Sequence, residues 1–192
     1  MTRDELLDLF RGSGALLEGH FRLTSGLHSS GYLQCALVLQ HPEHAETLGR
    51  AIAERTRDLR PTLVLSPALG GVVIGHEVAR ALGVRALFAE RQDRALTLRR
   101  GFTIAETDRV LVVEDVLTTG GSTRETMEVA KAASGQVVGA AAIVDRSDGR
   151  VRFDVPFNAL LDVGLPTYEP DQCPLCAEGL PVIKPGSRPV AT

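Results

Sequence analysis

Residues 110–113, Val-Leu-Val-Val, are followed without a spacer by Glu114 and Asp115, and then by a loop of threonines and glycines. Four consecutive apolar residues, three of them β-branched, fit a strand covered on both faces of a parallel sheet. Such a strand cannot hold unpaired acids inside its core. The carboxylates must therefore lie at its carboxyl end, in the crevice where open α/β sheets bind ligands.

The surrounding pattern supports a sheet of that kind. "TLVLS" (62–66), "VRALFAE" (84–90), "VVGAAAIVDR" (137–146) and "FNALLDV" (157–163) read as further strands. Between them, 71–83 and 121–134 read as helices, the first closed by Gly83. Strand and helix alternating at short intervals predict a mainly parallel sheet flanked by helices. Upstream, 4–18 predicts a short helix broken near Gly12, then a Gly/Ser-punctuated β segment. Pro42 opens a helix that ends before Pro61, with Leu48, Ile52, Arg55 and Leu59 on about one face. The expected organisation is a helix and β segment over 1–41, an α/β core over 42–165, and an irregular Pro/Gly-rich tail over 166–192.

With 192 residues, 44% hydrophobic and 23% charged, the chain can bury one core. A formal net charge of -3 gives no basic footprint for nucleic acid. No apolar run reaches the length of a membrane span, and "MTRDELLDLF" is charged where a signal peptide needs its apolar region, so no membrane partner and a cytoplasmic location are expected. Three cysteines, Cys35, Cys173 and Cys176, make no disulfide framework.

The loop after the carboxylates, "VLTTGGST" (116–123), runs from strand into helix through two glycines. Such a turn presents unpaired N–H groups at a helix amino terminus, where a phosphate fits. Thr118, Thr119, Ser122 and Thr123 add hydroxyl donors, and Gly120 and Gly121 permit close backbone approach. The chain contains no G-x-x-x-x-G-K-[ST] and no G-x-G-x-x-G after a strand, which excludes the two commonest phosphate motifs. Acceptors directly before a phosphate loop suit the vicinal hydroxyls of a ribose 5-phosphate, and their charge could steady a cationic sugar carbon. A helix-capping turn after an acidic strand end is the simpler alternative.

"VLVVEDVLTTGGST" resembles the phosphoribosyl-diphosphate signature of type I phosphoribosyltransferases: four apolar residues, two acids, two apolar or small residues and a Thr/Gly-rich loop. The resemblance implies the fold of that family with a small N-terminal hood. It implies that Glu114, Asp115, Val116, Leu117, Thr118, Thr119, Gly120, Gly121 and Ser122 bind the phosphoribosyl part of the donor. The second Gly-rich turn, "SPALGG" (66–71), would take the diphosphate on Ala68, Leu69 and Gly70. Mg²⁺ would be held mainly by diphosphate, ribose hydroxyls and water, without a dedicated set of protein ligands.

Two further segments point to the base. "GHFRLTSGLHSSGY" (19–32) resembles the hood of orotate phosphoribosyltransferases, and "AIVDR" (142–146) resembles the segment that places an arginine over the base in that family. Arg146 is the expected partner of the orotate carboxylate, with Thr118 and Tyr32 beside it. Arg146 could instead pair with Asp145 or Asp148, and Tyr32 could be hood core. The implied reaction transfers phosphoribosyl from phosphoribosyl diphosphate to orotate in pyrimidine synthesis, in a homodimer whose sites are completed by the neighbour's loop. Transfer to another base, and a non-catalytic regulator sensing the donor, stay open as alternatives.

The chain departs from the family pattern in places. Thr24 and Leu69-Gly70 stand where many members carry lysine or a Tyr-Lys pair. The segment 88–102, resembling the family's mobile loop, has neither lysine nor histidine but does have Arg91, Arg94, Arg99 and Arg100. Arginine can neutralise diphosphate but does not donate a proton. Arg91 is the best-placed catalytic cation, the alternative being a solvated basic hairpin. In the tail, "CPLC" (173–176) is half a zinc knuckle. The expected order is two free thiols in a turn, then a metal shared between subunits, then redox chemistry, with His20 and His28 read as surface or turn residues.

Overall fold

The structure is a computed structural model that describes every residue except 24, 25, 94 and 185–192; Thr24 and Arg94, singled out above, thus lie outside the described residues. In chain order the elements are α1 (Arg3–Gly12), β1 (Leu16–Arg22), β2 (His28–Leu33), α2 (Cys35–Leu39), α3 (Pro42–Thr56) and β3 (Leu63–Pro67). They continue as α4 (Gly70–Leu82), β4 (Arg85–Gln92), β5 (Ala95–Leu98), β6 (Arg109–Leu117), α5 (Gly121–Ala132) and β7 (Gln136–Asp145). Last come β8 (Phe157–Asp162), β9 (Thr167–Tyr168) and the single turn α6 (Pro174–Ala177).

Six strands form the main sheet in the order β5-β4-β3-β6-β7-β8. All neighbours are parallel except the β4/β5 pair. From β3 the chain moves outward through α4 to β4; from β6 it moves the opposite way through α5 to β7 and β8. The adjacent β3 and β6 therefore flank a topological switch point, where a crevice opens at the carboxyl ends of the strands.

Residues 110–113 are all 0% exposed. Leu111 and Val113 pack with Leu48, Ile52, Ile74 and Val78 of α3 and α4, while Val110 and Val112 pack on the other face with Met127 and Ala130 of α5. Burial of each Val, Leu, Ile and Met side chain here contributes about 1.5–3 kcal/mol relative to exposure. A one-residue slip would exchange the two faces. This packing fixes the register that brings Glu114 and Asp115 to the strand end.

The smaller sheet, β1-β2-β9, forms the hood. Its third strand comes from the segment expected to be an irregular tail: His28 pairs with Tyr168 and Ser29 with Thr167, and Ile183 bridges to Phe21. Hood and tail are thus joined. His20 and His28, expected at the surface or in turns, are only 2% and 6% exposed. The segment 88–102 also differs from a simple loop. Residues 95–98 pair antiparallel with residues 89–92 of β4, and Leu96 is buried, so they extend the sheet as an edge strand.

Candidate active site

Glu114 and Asp115 occupy the end of β6 as the apolar run requires. Glu114 is buried, 7% exposed, and pairs in register with Ala142 of β7. Its Oε1 accepts from the Asp115 N–H at 3.3 Å, and Asp115 Oδ1 accepts from the Val116 N–H at 2.9 Å. Burial, followed by the hydrogen bond and the charge of Asp115, pushes the Glu114 carboxyl from 4.5 to about 9. Glu114 therefore holds a proton near neutral pH in the ligand-free protein.

This shift has a stability consequence. Between an unfolded value near 4.5 and a folded value near 9, the native state binds the extra proton. Stability therefore falls as pH rises through that window, by about 1.4 kcal/mol per pH unit while the difference is complete. Glu114→Gln removes the term. Urea unfolding at pH 5, 7 and 9 should show a flatter pH dependence in the variant and an advantage over the parent that grows with pH.

No cationic side chain among the described residues contributes to the Glu114 shift. The neighbourhood supplies hard oxygen donors, and the repulsion between the two carboxylates would be relieved by a nearby cation. These residues fit a magnesium-bearing ligand, an oxygen-preferring ion that keeps part of its water shell.

The turn from β3 to α4 borders the same crevice. The Ala68–Leu69 peptide is cis, and Leu69 is 87% exposed. Gly70 lies so close to Asp115 that a Cβ there would stand 2.7 Å from both carboxylate oxygens. Asp115, Leu69, Gly70, Val73, Ala36 and Leu39 help line a hollow of about 230 Å³. Leu69 and Gly70 thereby share this hollow with Asp115, and Ala68 precedes them in the turn.

The loop after β6 closes into the amino terminus of α5. Gly120 has φ of 74°, in the left-handed region, and a side chain there would also meet Val151 at 2.8 Å. Glycine is required on both counts. Helix α5 starts without a side-chain cap and with no acid in its first turn, leaving its amino terminus suited to an anion. Arg124 braces the turn from outside, donating to Thr119 O at 3.0 Å and lying 5.2 Å from the Phe153 ring. Residues 116–123 and Glu114 enclose one small cavity of about 40 Å³. Thr118, Thr119, Gly121 and Ser122 are exposed on this loop.

Arg146 follows directly from β7. Its N–H donates to Leu117 O at 2.8 Å, which sets it beside the start of the phosphate-type loop and Thr118. The guanidinium is partly buried, and its Nε is enclosed without a hydrogen-bond partner. Among the described residues it forms no ion pair; Asp145 Oδ1 instead accepts from the Ser147 N–H at 2.7 Å. Burial lowers the Arg146 pKa from its ordinary value, opposed by the nearby Tyr32 oxygen. Tyr32, whose ring also lies 6.0 Å from Phe21, thus faces Arg146 from the hood.

The basic hairpin divides differently. Arg91 pairs with Glu125 of α5 at 3.0 Å. Arg100 is occupied by Glu90 at 2.7 Å and packs 5.8 Å from the Phe88 ring, so it fits the hairpin reading. Arg99 is exposed.

A carboxylate pair, a helix start suited to an anion, a glycine-rich turn and a half-buried arginine therefore lie at the carboxyl ends of β3, β6 and β7. Residues 36–157 match the phosphoribosyl transferase domain family. A protein of Pelotomaculum thermopropionicum described as orotate phosphoribosyltransferase is 54% identical over 190 residues, covering 99% of this chain and 100% of the relative. The chain belongs to the orotate phosphoribosyltransferase family. A second family member, from Heliobacterium modesticaldum, is 55% identical over 98% of this chain and 100% of its own length. Among solved structures, the Mycobacterium tuberculosis orotate phosphoribosyltransferase in complex with 5-phospho-alpha-D-ribosyl 1-diphosphate superposes with a TM-score of 0.67. That match is 26% identical and covers 83% of this chain and 95% of the other. The family fold, a mainly parallel sheet flanked by helices, is the one observed. No helix among the described residues is long and apolar enough to cross a membrane.

Proposed function

We propose that this protein transfers the 5-phosphoribosyl group from phosphoribosyl diphosphate to orotate, releasing diphosphate and orotidine 5-phosphate for pyrimidine synthesis in the cytoplasm. The observation that carries the base assignment is Arg146: a half-buried cation, with an enclosed Nε lacking a partner, at the strand end beside the phosphate-type loop. A planar carboxylate on a planar base meets such a guanidinium in a charge-assisted fork.

The remaining roles follow from position. Backbone N–H groups of 119–122, with the hydroxyls of Thr118, Thr119 and Ser122, hold the 5-phosphate; Val116 and Leu117 shape the floor. Glu114 and Asp115 accept from the ribose hydroxyls, and the Asp115 charge, joined by that of Glu114 once a bound cation displaces its proton, steadies the sugar carbon as positive charge develops there. Ala68, Leu69 and Gly70 carry the diphosphate. Where Mg²⁺ is bound, diphosphate, ribose hydroxyls and water would hold most of it, and it would supply charge neutralisation for the leaving diphosphate. Thr118 and Tyr32 flank orotate, whose N1 attacks C1 of the ribose as diphosphate leaves from the opposite face. The chemistry is positioning and electrostatics, with no covalent nucleophile. Arg91 serves diphosphate in a neighbouring subunit of a homodimer.

Gly70→Ala tests the diphosphate turn. The new methyl must displace the Asp115 carboxylate, since it would stand 2.7 Å from both oxygens. Calorimetric titration with phosphoribosyl diphosphate and Mg²⁺ should show affinity weakened by about ten-fold or more, on the order of 1.4 kcal/mol, with little change in melting temperature.

Turnover of orotate with the donor and Mg²⁺, measured beside adenine, hypoxanthine, guanine and uracil, tests the whole reading. Orotate alone should be consumed; comparable or faster use of another base would overturn it, as would donor binding with no turnover of any base.

A further inference from the structure

The residues least explained by phosphoribosyl transfer lie in the hood. His20 of β1, His28 at the start of β2, Cys173 and Cys176 of α6 bring four potential ligand atoms within 4.8 Å of one another. His20 Nε2 lies 2.9 Å from His28 Nδ1, 3.5 Å from Cys173 Sγ and 3.7 Å from Cys176 Sγ, and Cys176 Sγ lies 3.3 Å from His28 Nδ1. In a tetrahedral zinc site with Zn–S of about 2.3 Å and Zn–N of about 2.0–2.1 Å, ligand atoms stand roughly 3.3–3.8 Å apart. Three of these separations fall in that range, and all four atoms lie within 4.8 Å of one another, so small side-chain shifts suffice to seat the ion.

Its chemistry is selective as well. A neutral imidazole nitrogen has one lone pair, yet three polar atoms converge on His20 Nε2, so ordinary hydrogen bonding cannot use them all. One central cation would use all four lone pairs together. His20 Nδ1 lies 2.8 Å from Leu180 O; donation there fixes the tautomer that turns the Nε2 lone pair inward, the usual outer support of a metal-bound histidine. Pro174 starts α6 between the cysteines, and the single turn puts both sulfurs toward the histidines. Three of the four side chains are buried and Cys176 is exposed, which leaves an entry path. Two nitrogens and two thiolates in tetrahedral array select zinc over magnesium or calcium.

We propose that His20, His28, Cys173 and Cys176 form a tetrahedral Zn²⁺ site within one chain, fastening the hood to the C-terminal segment. Among the described residues, other ties across this junction include two residue pairs between β2 and β9, the Ile183 bridge, and the Ser29 hydroxyl donating to Pro166 O at 2.9 Å. Tyr32 stands on the same strand as His28, so the metal also sets the position of the hood against Arg146. This consequence for orotate rests on the functional reading above; the existence of the site does not.

The test uses the full chain. Elemental analysis of protein purified in reducing buffer should find about one zinc per chain. Replacement by Co²⁺ should give the intense visible bands and thiolate charge-transfer absorption of tetrahedral cobalt. Both should be lost in the Cys173→Ser/Cys176→Ser double variant and retained in Cys35→Ala. Removing zinc with a chelator should lower the melting temperature by several degrees, reversed by Zn²⁺, and raise KM for orotate more than it lowers kcat. Should the double variant fail to fold, the parent protein's metal content and cobalt spectrum still decide. Substoichiometric zinc with no tetrahedral cobalt spectrum, or a Cys173–Cys176 disulfide in reducing buffer, would overturn the site whatever the activity on orotate.

Discussion

Arg146→Ala is expected to lower kcat/KM for orotate by about 100-fold or more while leaving donor affinity within about two-fold. Truncating one member of a desolvated charge pair costs roughly 2–5 kcal/mol, and the Arg146 Nε is enclosed with no other partner to compensate. Arg146→Lys should recover only part of the loss, because a point charge does not reproduce the planar fork. Steady-state kinetics with each substrate varied separates the effects. A parallel fall in donor affinity would place Arg146 at the phosphoribosyl end instead.

The second large effect is at Asp115. Asp115→Asn should reduce orotate turnover by about 10²–10³-fold, the range seen when a preorganised group facing developing charge is removed. It should weaken donor binding too, since the side chain stands against the Gly70 turn and is proposed to accept from the ribose hydroxyls. Folding should suffer little: Asp115 is one cause of the raised Glu114 pKa, and its loss relieves that repulsion. A variant with unchanged kcat but weaker donor binding would show that Asp115 only anchors the sugar.

Local periodicity made the centre of this fold legible. Residues 110–113 needed burial on both faces, and the packing of Leu111 and Val113 against α3 and α4, with Val110 and Val112 against α5, is that arrangement realised. Gly83 ends α4 with φ of 73°, as a left-handed cap should. The nearness of Glu114, Asp115 and the 116–123 loop follows from chain continuity. The nearness of Gly70 to Asp115 follows from parallel pairing of β3 with β6, a strand order that alternation of strand and helix does not specify.

What escaped local reading was long-range. The short helix α2 and the edge strand β5 carry patterns of only four or five residues, too short for periodicity to distinguish. His20 and His28 stand about 150 positions from the Cys-Pro-Leu-Cys turn, and nothing in either segment specifies the other. The half-knuckle was visible; its missing half was on another strand. Arg146 shows the same limit from the other side, because its candidate pairing with Asp145 could be weighed only once the Asp145 carboxylate was seen turned to the Ser147 N–H.

The most direct measurement is a crystal structure with orotidine 5-phosphate bound. The phosphate should rest on the backbone N–H groups of residues 119–122, the ribose hydroxyls on Glu114 and Asp115, and the orotate carboxylate on Arg146 with its Nε engaged. A phosphate seated away from the α5 amino terminus, or a base carboxylate that leaves the Arg146 Nε without a partner, would contradict the account.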